Sequence, residues 1–217
     1  MPKDCAASRL IMGLSTDGDR VAECELAPDE SGQLPGLTEE ARRGGAVRLW
    51  VHCPGDLSGF GLTRCEGYRR FFASVCPAGE PLPLADAETV ADLWPRAFRG
   101  QWGHKRVDPD TARAMASSGE AVFVGLRENG QWTALCRVEP AERLIDGPGF
   151  VNRPRTPDAV RRLVLAACAY LGVGPVTVET WGEPAGPYLA LGLELVEDGG
   201  GWERVLPVKS GPLRSVG

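Results

Sequence analysis

Two sets of residues in this chain have types and spacings from which chemistry could be built. The first is His104, in the segment 100–107 beside Trp102 and Lys105. A loop imidazole next to an indole can line a substrate pocket; the plainer alternative is that both rings only pack. The second is the run Arg153, Arg155, Arg161 and Arg162 around Thr156-Pro157-Asp158. Guanidinium groups there can grip phosphates directly, and the free amides and dipole of a helix N-terminus attract anions. The plainer alternative is solvated arginines at a helix end. Other chemistries are excluded. There is no Ser-His-Asp ordering, P-loop or HExxH, and Gly172-Val173-Gly174 follows a helix and lacks the third glycine of a dinucleotide fingerprint. The seven cysteines, at 5, 24, 53, 65, 76, 136 and 168, form no CxxC pair, and the chain has only two histidines, so no metal site is expected. They read as reduced thiols of a cytoplasmic protein, with Cys136 and Cys168 as small core residues.

Around these residues the pattern predicts many short elements, as 28 Gly and 18 Pro in 217 residues require. A hairpin is expected over 9–14 and 21–26, turned at Asp17-Gly18. A loop follows, with a short helix at 38–43, then a strand at 46–52. Strands at 62–65 and 68–75 flank a turn at Glu66-Gly67, and 76–85 is a Pro-rich linker. Asp86 caps a helix whose apolar face is Val90, Leu93, Trp94, Ala97 and Phe98, with Pro95 inside it. Asp108-Pro109 opens a second helix. Strands at 121–127 and 131–139 turn at Asn129-Gly130, another strand covers 144–151, and a long apolar helix runs from Thr156 to Leu171. Next come a strand at 176–180, a short helix at 184–191, and a hairpin of 193–196 and 202–207 around Asp198-Gly199-Gly200.

A 43% hydrophobic and 24% charged composition suits a soluble globular chain. The net charge of −5 is spread evenly, with no basic face to release counterions from nucleic acid. The longest apolar stretch, 163–173, is too short to span a bilayer, and no signal peptide is seen. Neither nucleic acid nor membrane is therefore expected as a partner.

Residues 47–75 and 176–208 repeat one plan: strand, Gly/Pro turn, short helix, Gly-Leu, strand, glycine turn, strand opening on an aromatic. Gly61-Leu62 matches Gly192-Leu193, and Tyr68-Arg69-Arg70 matches Trp202-Glu203-Arg204. Residues 86–208 then read helix, helix, hairpin, strand, helix, strand, helix, hairpin. With Tyr188-Leu189-Ala190-Leu191-Gly192-Leu193 near its end and the stretch 97–104, this order resembles the GNAT acetyltransferase superfamily, in its tandem, mycothiol synthase-like form. The fold this implies is α/β (α+β): a mixed, mostly antiparallel sheet flanked by helices. Residues 1–77 would be a partial, degenerate N-terminal repeat and 78–217 the acetyltransferase domain.

The resemblance also implies roles. Acetyl-CoA would be the cosubstrate, a small-molecule or peptide amine the acceptor, and a homodimer is possible. Tyr188 would protonate the leaving thiolate, and Glu139, at the end of the central strand, or Glu179, on the following strand, could face the cleft as base. Trp102, His104 and Glu179 would contact the acceptor, and Val151, Arg153, Arg155, Ala159 and Arg161 the cofactor. The family's pyrophosphate loop, Arg/Gln-x-x-Gly-x-Gly/Ala, meets Arg155-Thr156-Pro157-Asp158-Ala159-Val160 here, so Asp158 and Val160 stand where glycines belong. Pro157 donates no N–H, and Thr156 and Asp158 can occupy the anion seat. The same sequence therefore leaves open a non-catalytic binding or dimerisation module that has lost CoA.

Overall fold

A computed structural model describes residues 10–99, 101–151 and 154–207. The described residues build nine strands and five α-helices: β1 (Ile11–Leu14), β2 (Arg20–Glu25), α1 (Leu34–Arg43), β3 (Arg48–His52), β4 (Thr63–Ala73), α2 (Ala87–Ala97), α3 (Pro109–Ser117), β5 (Val122–Glu128), β6 (Gln131–Glu139), β7 (Leu144–Phe150), α4 (Pro157–Leu171), β8 (Val176–Trp181), α5 (Gly186–Leu189) and β9 (Glu194–Val205). All nine strands form one sheet in the order β1-β2-β3-β9-β4-β8-β7-β6-β5. Pairing is antiparallel except between β2 and β3 and between β7 and β8. It is the mixed, mostly antiparallel sheet flanked by helices that the sequence order implies.

Alternation along the strands decides which face each helix covers. Val160, Leu163, Val164, Ala167 and Cys168 of α4 pack on Phe71, Cys136, Val138, Ile145, Val176 and Val178. On the same face α1 lays Leu34, Leu37 and Ala41 against Leu49, Val51 and Trp202. The opposite face is covered at the β5 end, where α2 and α3 bring Val90, Leu93, Trp94 and Ala112 to Phe123 and Leu135. Each large apolar side chain so buried contributes roughly 1.5–3 kcal/mol. Among the described residues no helix covers that second face over β8, β4, β9 and β3.

Helix ends follow their local signals. Asp86, Asp108 and Thr156 accept from the amides of Thr89, Thr111 and Ala159. At the far end of α4, Arg143 caps the helix and its exit, donating to the carbonyls of Leu171, Gly172 and Pro175. The first helix is longer than predicted: Pro35 starts it early, and the chain is helical from Leu34 rather than from Thr38.

Two predicted turns are absent. Glu66-Gly67 and Asp198-Gly199-Gly200 do not reverse the chain; each lies inside one long strand, β4 or β9, and the two strands pair with register shifts there. The reason is a close approach. A Cβ on Gly67 would lie 2.3 Å from the Gly200 carbonyl carbon, and one on Gly200 2.1 Å from the Cys53 oxygen. Gly200 also has φ +63°. The glycines serve backbone contact and bulges rather than hairpins.

Replacing Gly67 by Ala should cost about 3 kcal/mol in chemical denaturation, because the clash is with backbone. Gly59→Ala, where a Cβ meets nothing within 4 Å, should leave the midpoint nearly unchanged. Equal effects at both positions would refute the close-approach account.

Candidate functional site

The open face of the sheet carries a charged row. Arg137, Asp146, Glu179, Arg70 and Glu197 stand in register across β6, β7, β8, β4 and β9. Arg70 pairs with Glu179 at 2.8 Å and Glu197 at 3.0 Å, and Arg137 with Glu139 at 2.9 Å. Asp146 and Glu179 are adjacent carboxylates. Burial pushes Asp146 up to about 6; Arg137 opposes this, and Glu179 and Glu139 add to it.

Two residues further along lie the rings. Trp181 packs on Tyr68 (4.6 Å between centroids) and on the His52 edge (5.0 Å), and Trp102 meets His52 at 4.9 Å. Glu23 binds His52 Nε2 at 2.6 Å and also pairs with Lys105. Two clefts open here. One, of about 370 Å³, includes Trp94, Phe98, His104, Lys105, Arg137 and Asp146. The other, of about 1250 Å³, runs from Glu25 on β2 to Glu179 on β8 and includes His52, Tyr68 and Trp181. Among the described residues no group of three or more His, Cys, Asp or Glu is gathered as a metal requires.

Beside the row, β7 and β8 part. They pair only from Leu144–Thr177 to Asp146–Glu179, after which Pro148–Phe150 and Thr180–Trp181 go separate ways. Side chains from three segments lie between them. Arg155 donates to Gln101 Oε1 and to the Pro148 carbonyl (3.4 Å), and its Nε lies 2.5 Å from Glu183 Oε1. Gln101 Nε2 donates to the Trp181 carbonyl and to Glu183. The Arg155 guanidinium also sits 5.2 Å from the Phe150 ring. Glu183 is 1% exposed and its Oε2 has no hydrogen-bond partner. Burial pushes its carboxyl up to about 7, against the pull of Arg155.

The residues predicted from sequence divide between these places. Glu179 lies on the open face, accepting from the Tyr68 hydroxyl at 3.0 Å. Glu139 is at the end of β6, paired with Arg137. His104 lines the smaller cleft, stacked on Phe98 at 3.9 Å; burial and then Arg155 push it down to about 3, so it is neutral. Trp102 is buried against Trp50 and His52. Tyr188 is fully buried, stacked on Phe71 at 4.7 Å, with its hydroxyl on Thr180 Oγ1 at 3.4 Å. Its phenol is held well above its ordinary value by burial, then by Glu183.

The Val151 amide is spent on the Thr133 carbonyl at 2.8 Å. The Ala159 amide is spent on Thr156 Oγ1 at 3.3 Å, and Arg161 pairs with Asp158. Arg155 lies between the parted strands, and Arg153 is outside the described residues. Sequence reasoning missed Glu23, Tyr68, Asp146, Trp181, Gln101 and Glu183. The alternate spacing of Tyr68 with Arg70 and of Glu179 with Trp181 placed those four on one face of their strands, and was the available signal.

No protein-family profile matches the chain, and no curated protein does. Solved structures do resemble it in shape. One is an Enterococcus faecalis protein described as a probable N-acyltransferase (10% identity, TM-score 0.52, 90% of this chain and 57% of that one). Another is a GCN5-related N-acetyltransferase from Anabaena variabilis (11%, 0.51, 92% and 59%). A third is a conserved Staphylococcus epidermidis protein of unknown function (10%, 0.50, 93% and 92%). The chain thus spans less than two thirds of the first two. At these identities the likeness is one of architecture, and the architecture is that of the GNAT fold.

Proposed function

We propose that this chain is a GNAT-fold protein that holds a small molecule on the open face of its sheet and does not transfer an acetyl group from CoA. One observation carries this reading: the gap between β7 and β8, where a thioester arm would have to lie, is filled by the Arg155–Glu183 pair and Gln101. The cofactor's other requirements are also unmet by these residues. Pro157 in the first turn of α4 offers no N–H, Asp158 places a negative charge there, and the Ala159 amide is taken by Thr156. Tyr188, the candidate acid, has its hydroxyl buried on Thr180. The residues described here do not fit CoA.

The second reading, acetyl transfer to an amine, is favoured by the parting of β7 and β8 and by the architecture shared with N-acetyltransferases. It requires Arg155 to leave the gap and Glu183 to lose its partner. Breaking a buried pair in that way costs about 3–5 kcal/mol, which bound cofactor would have to offset.

The tandem-repeat reading is also proposed. It is supported by the central order β3-β9-β4-β8, which reads the same when β3 is exchanged with β8 and β9 with β4. No described helix is long and apolar enough to cross a membrane. The cytoplasm is proposed as its compartment because the described cysteines are free.

Two measurements test the reading. Acetyl-CoA at millimolar concentration should leave the melting temperature unchanged and release no thiol with amine acceptors. A ligand at 100 times its dissociation constant would add about 2.7 kcal/mol, so a clear upward shift overturns the reading. Stability should also respond to the Glu183 proton. Its carboxyl is raised from 4.5 to about 7, so its contribution is complete below 4.5 and lost as pH rises through 7. Asp146, raised to about 6, acts in the same direction. Unfolding free energy should fall by on the order of 2–3 kcal/mol between about pH 5 and pH 8, and Glu183→Gln should remove most of that slope. An equal slope in Glu183→Gln would place its origin elsewhere.

A further inference from the structure

Away from the open face of the sheet, two cysteines are placed together. Cys76 begins the stretch between β4 and α2 and is partly exposed. Cys168 lies near the C-terminal end of α4 and is buried. Their thiols are within hydrogen-bond reach of each other, and Cys76 packs on the core cluster to which Cys168 belongs. Both are reduced.

The placement is held from several sides. The Cys76 amide donates to the Gly174 carbonyl at 2.7 Å. Three residues on, Gly79 lies so near α4 that a Cβ there would be 2.3 Å from the Leu165 carbonyl oxygen. Leu165 is one turn before Cys168, so this stretch follows the helix back from its exit. Arg143, which caps the same helix end, also donates from Nη2 to Cys76 Sγ at 3.6 Å.

The two sulfurs differ in their surroundings. Cys76 has a cation beside it and access to solvent, the setting in which cysteines meet peroxides. Cys168 lacks that access. Burial and then Cys76 hold its thiol well above its ordinary value, against the pull of Arg143. Cys65 is the contrast. It too is partly exposed, but its sulfur donates to the Thr63 carbonyl at 3.6 Å. Burial, then Glu203 and Glu66, push it up to about 11. Cys24, Cys53 and Cys136 are buried.

We propose that Cys76 and Cys168 form a reversible disulfide, with Cys76 as the sulfur that reacts with a hydroperoxide and Cys168 as the sulfur that resolves it. In the first step the Cys76 thiolate attacks the terminal peroxide oxygen. An S–O bond forms, the O–O bond breaks, and the alcohol or water leaves with the proton. In the second, the Cys168 sulfur attacks Cys76. The S–S bond forms, the S–O bond breaks, and water leaves carrying the Cys168 proton. The two thiols lose two electrons, and the peroxide gains them. Exchange with a reduced dithiol restores both thiols. The bond fastens the chain leaving β4 to α4, and it neither needs nor excludes a ligand on the open face.

The reduced full chain, treated with a small excess of hydrogen peroxide, tests this. Digestion without reductant should yield one linked pair of peptides carrying Cys76 and Cys168, lighter by two hydrogens than the free peptides. Dithiothreitol should separate them. Because the bond constrains the unfolded chain between positions 76 and 168, the oxidised form should melt about 5 °C or more higher. Cys76→Ser changes a partly exposed side chain and should abolish both the linked pair and the shift, whereas Cys65→Ser should abolish neither. Cys168→Ala should leave Cys76 as a sulfenic acid captured by dimedone, which the unsubstituted chain should not retain. Three results overturn the proposal: Cys76 and Cys168 both still reduced after peroxide, Cys76 driven to sulfinic acid in the unsubstituted chain, or Cys76 linked to a second copy of the chain. Should Cys168→Ala fail to fold, Cys76→Ser and the peptide map of the unsubstituted chain decide alone.

Discussion

Contact between the backbones of β4 and β9 at Gly67, Gly200 and Gly201 is the constraint on which the rest of this structure depends. Side chains at these positions would hold the two strands apart. Without them the strands run as neighbours through the centre of the sheet, bulged but unbroken. That contact joins the first third of the chain to its last strand, so that Tyr68 and Arg70 from one end meet Trp181, Glu179 and Glu197 from the other. The cleft is therefore composite, its lining drawn from both stretches of sequence. A Gly200 amide bonded to Asp198 at 3.2 Å and a Trp202 indole donating to the Cys53 carbonyl at 3.1 Å fix the same crossing from the side.

The gap beside β7 shows how a site can be closed by the chain's own polar groups. Strands that stop pairing leave carbonyls such as Pro148 and Trp181 in need of donors. Water or a ligand could supply them; here Arg155 and Gln101 do. Burying an ion pair to do so is expensive, and such a pair is weak evidence for stability. Its value lies in leaving the gap fully occupied. The orphaned Glu183 oxygen and the raised carboxyl are the residue of that arrangement.

Much of the architecture was legible because it follows from local rules. Asp86, Asp108 and Thr156 announced their helices through capping, and Asn129-Gly130 its hairpin, realised with φ near +50° and +78°. The turns at Glu66-Gly67 and at 198–200 were misread because a glycine that permits a turn is indistinguishable, in one sequence, from a glycine that permits another backbone to approach. What distinguishes them is a residue more than a hundred positions away. The site suffered from the same blindness. The missing loop glycines at Asp158 and Val160 could be seen, but not that Arg155 would find Glu183 and Gln101. The resemblance drew attention to Tyr188 and away from Tyr68, because likeness to a family directs the eye to positions the family uses.

The strand order carries a consequence for how the chain is made. β3 and β4 are consecutive in sequence, yet they never touch as partners; β9 lies between them and pairs with both. An N-terminal portion emerging first from a ribosome can pair β3 with β2, but the second edge of β3 and both edges of β4 have no native neighbour until β8 and β9 arrive. Its apolar edges must wait through most of translation, and closing the sheet must pay for a loop of more than a hundred residues in one step. Assembly of this molecule is thus late and all at once. Before that last strand docks, the nascent chain is in the state most exposed to mispairing, and most in need of a chaperone.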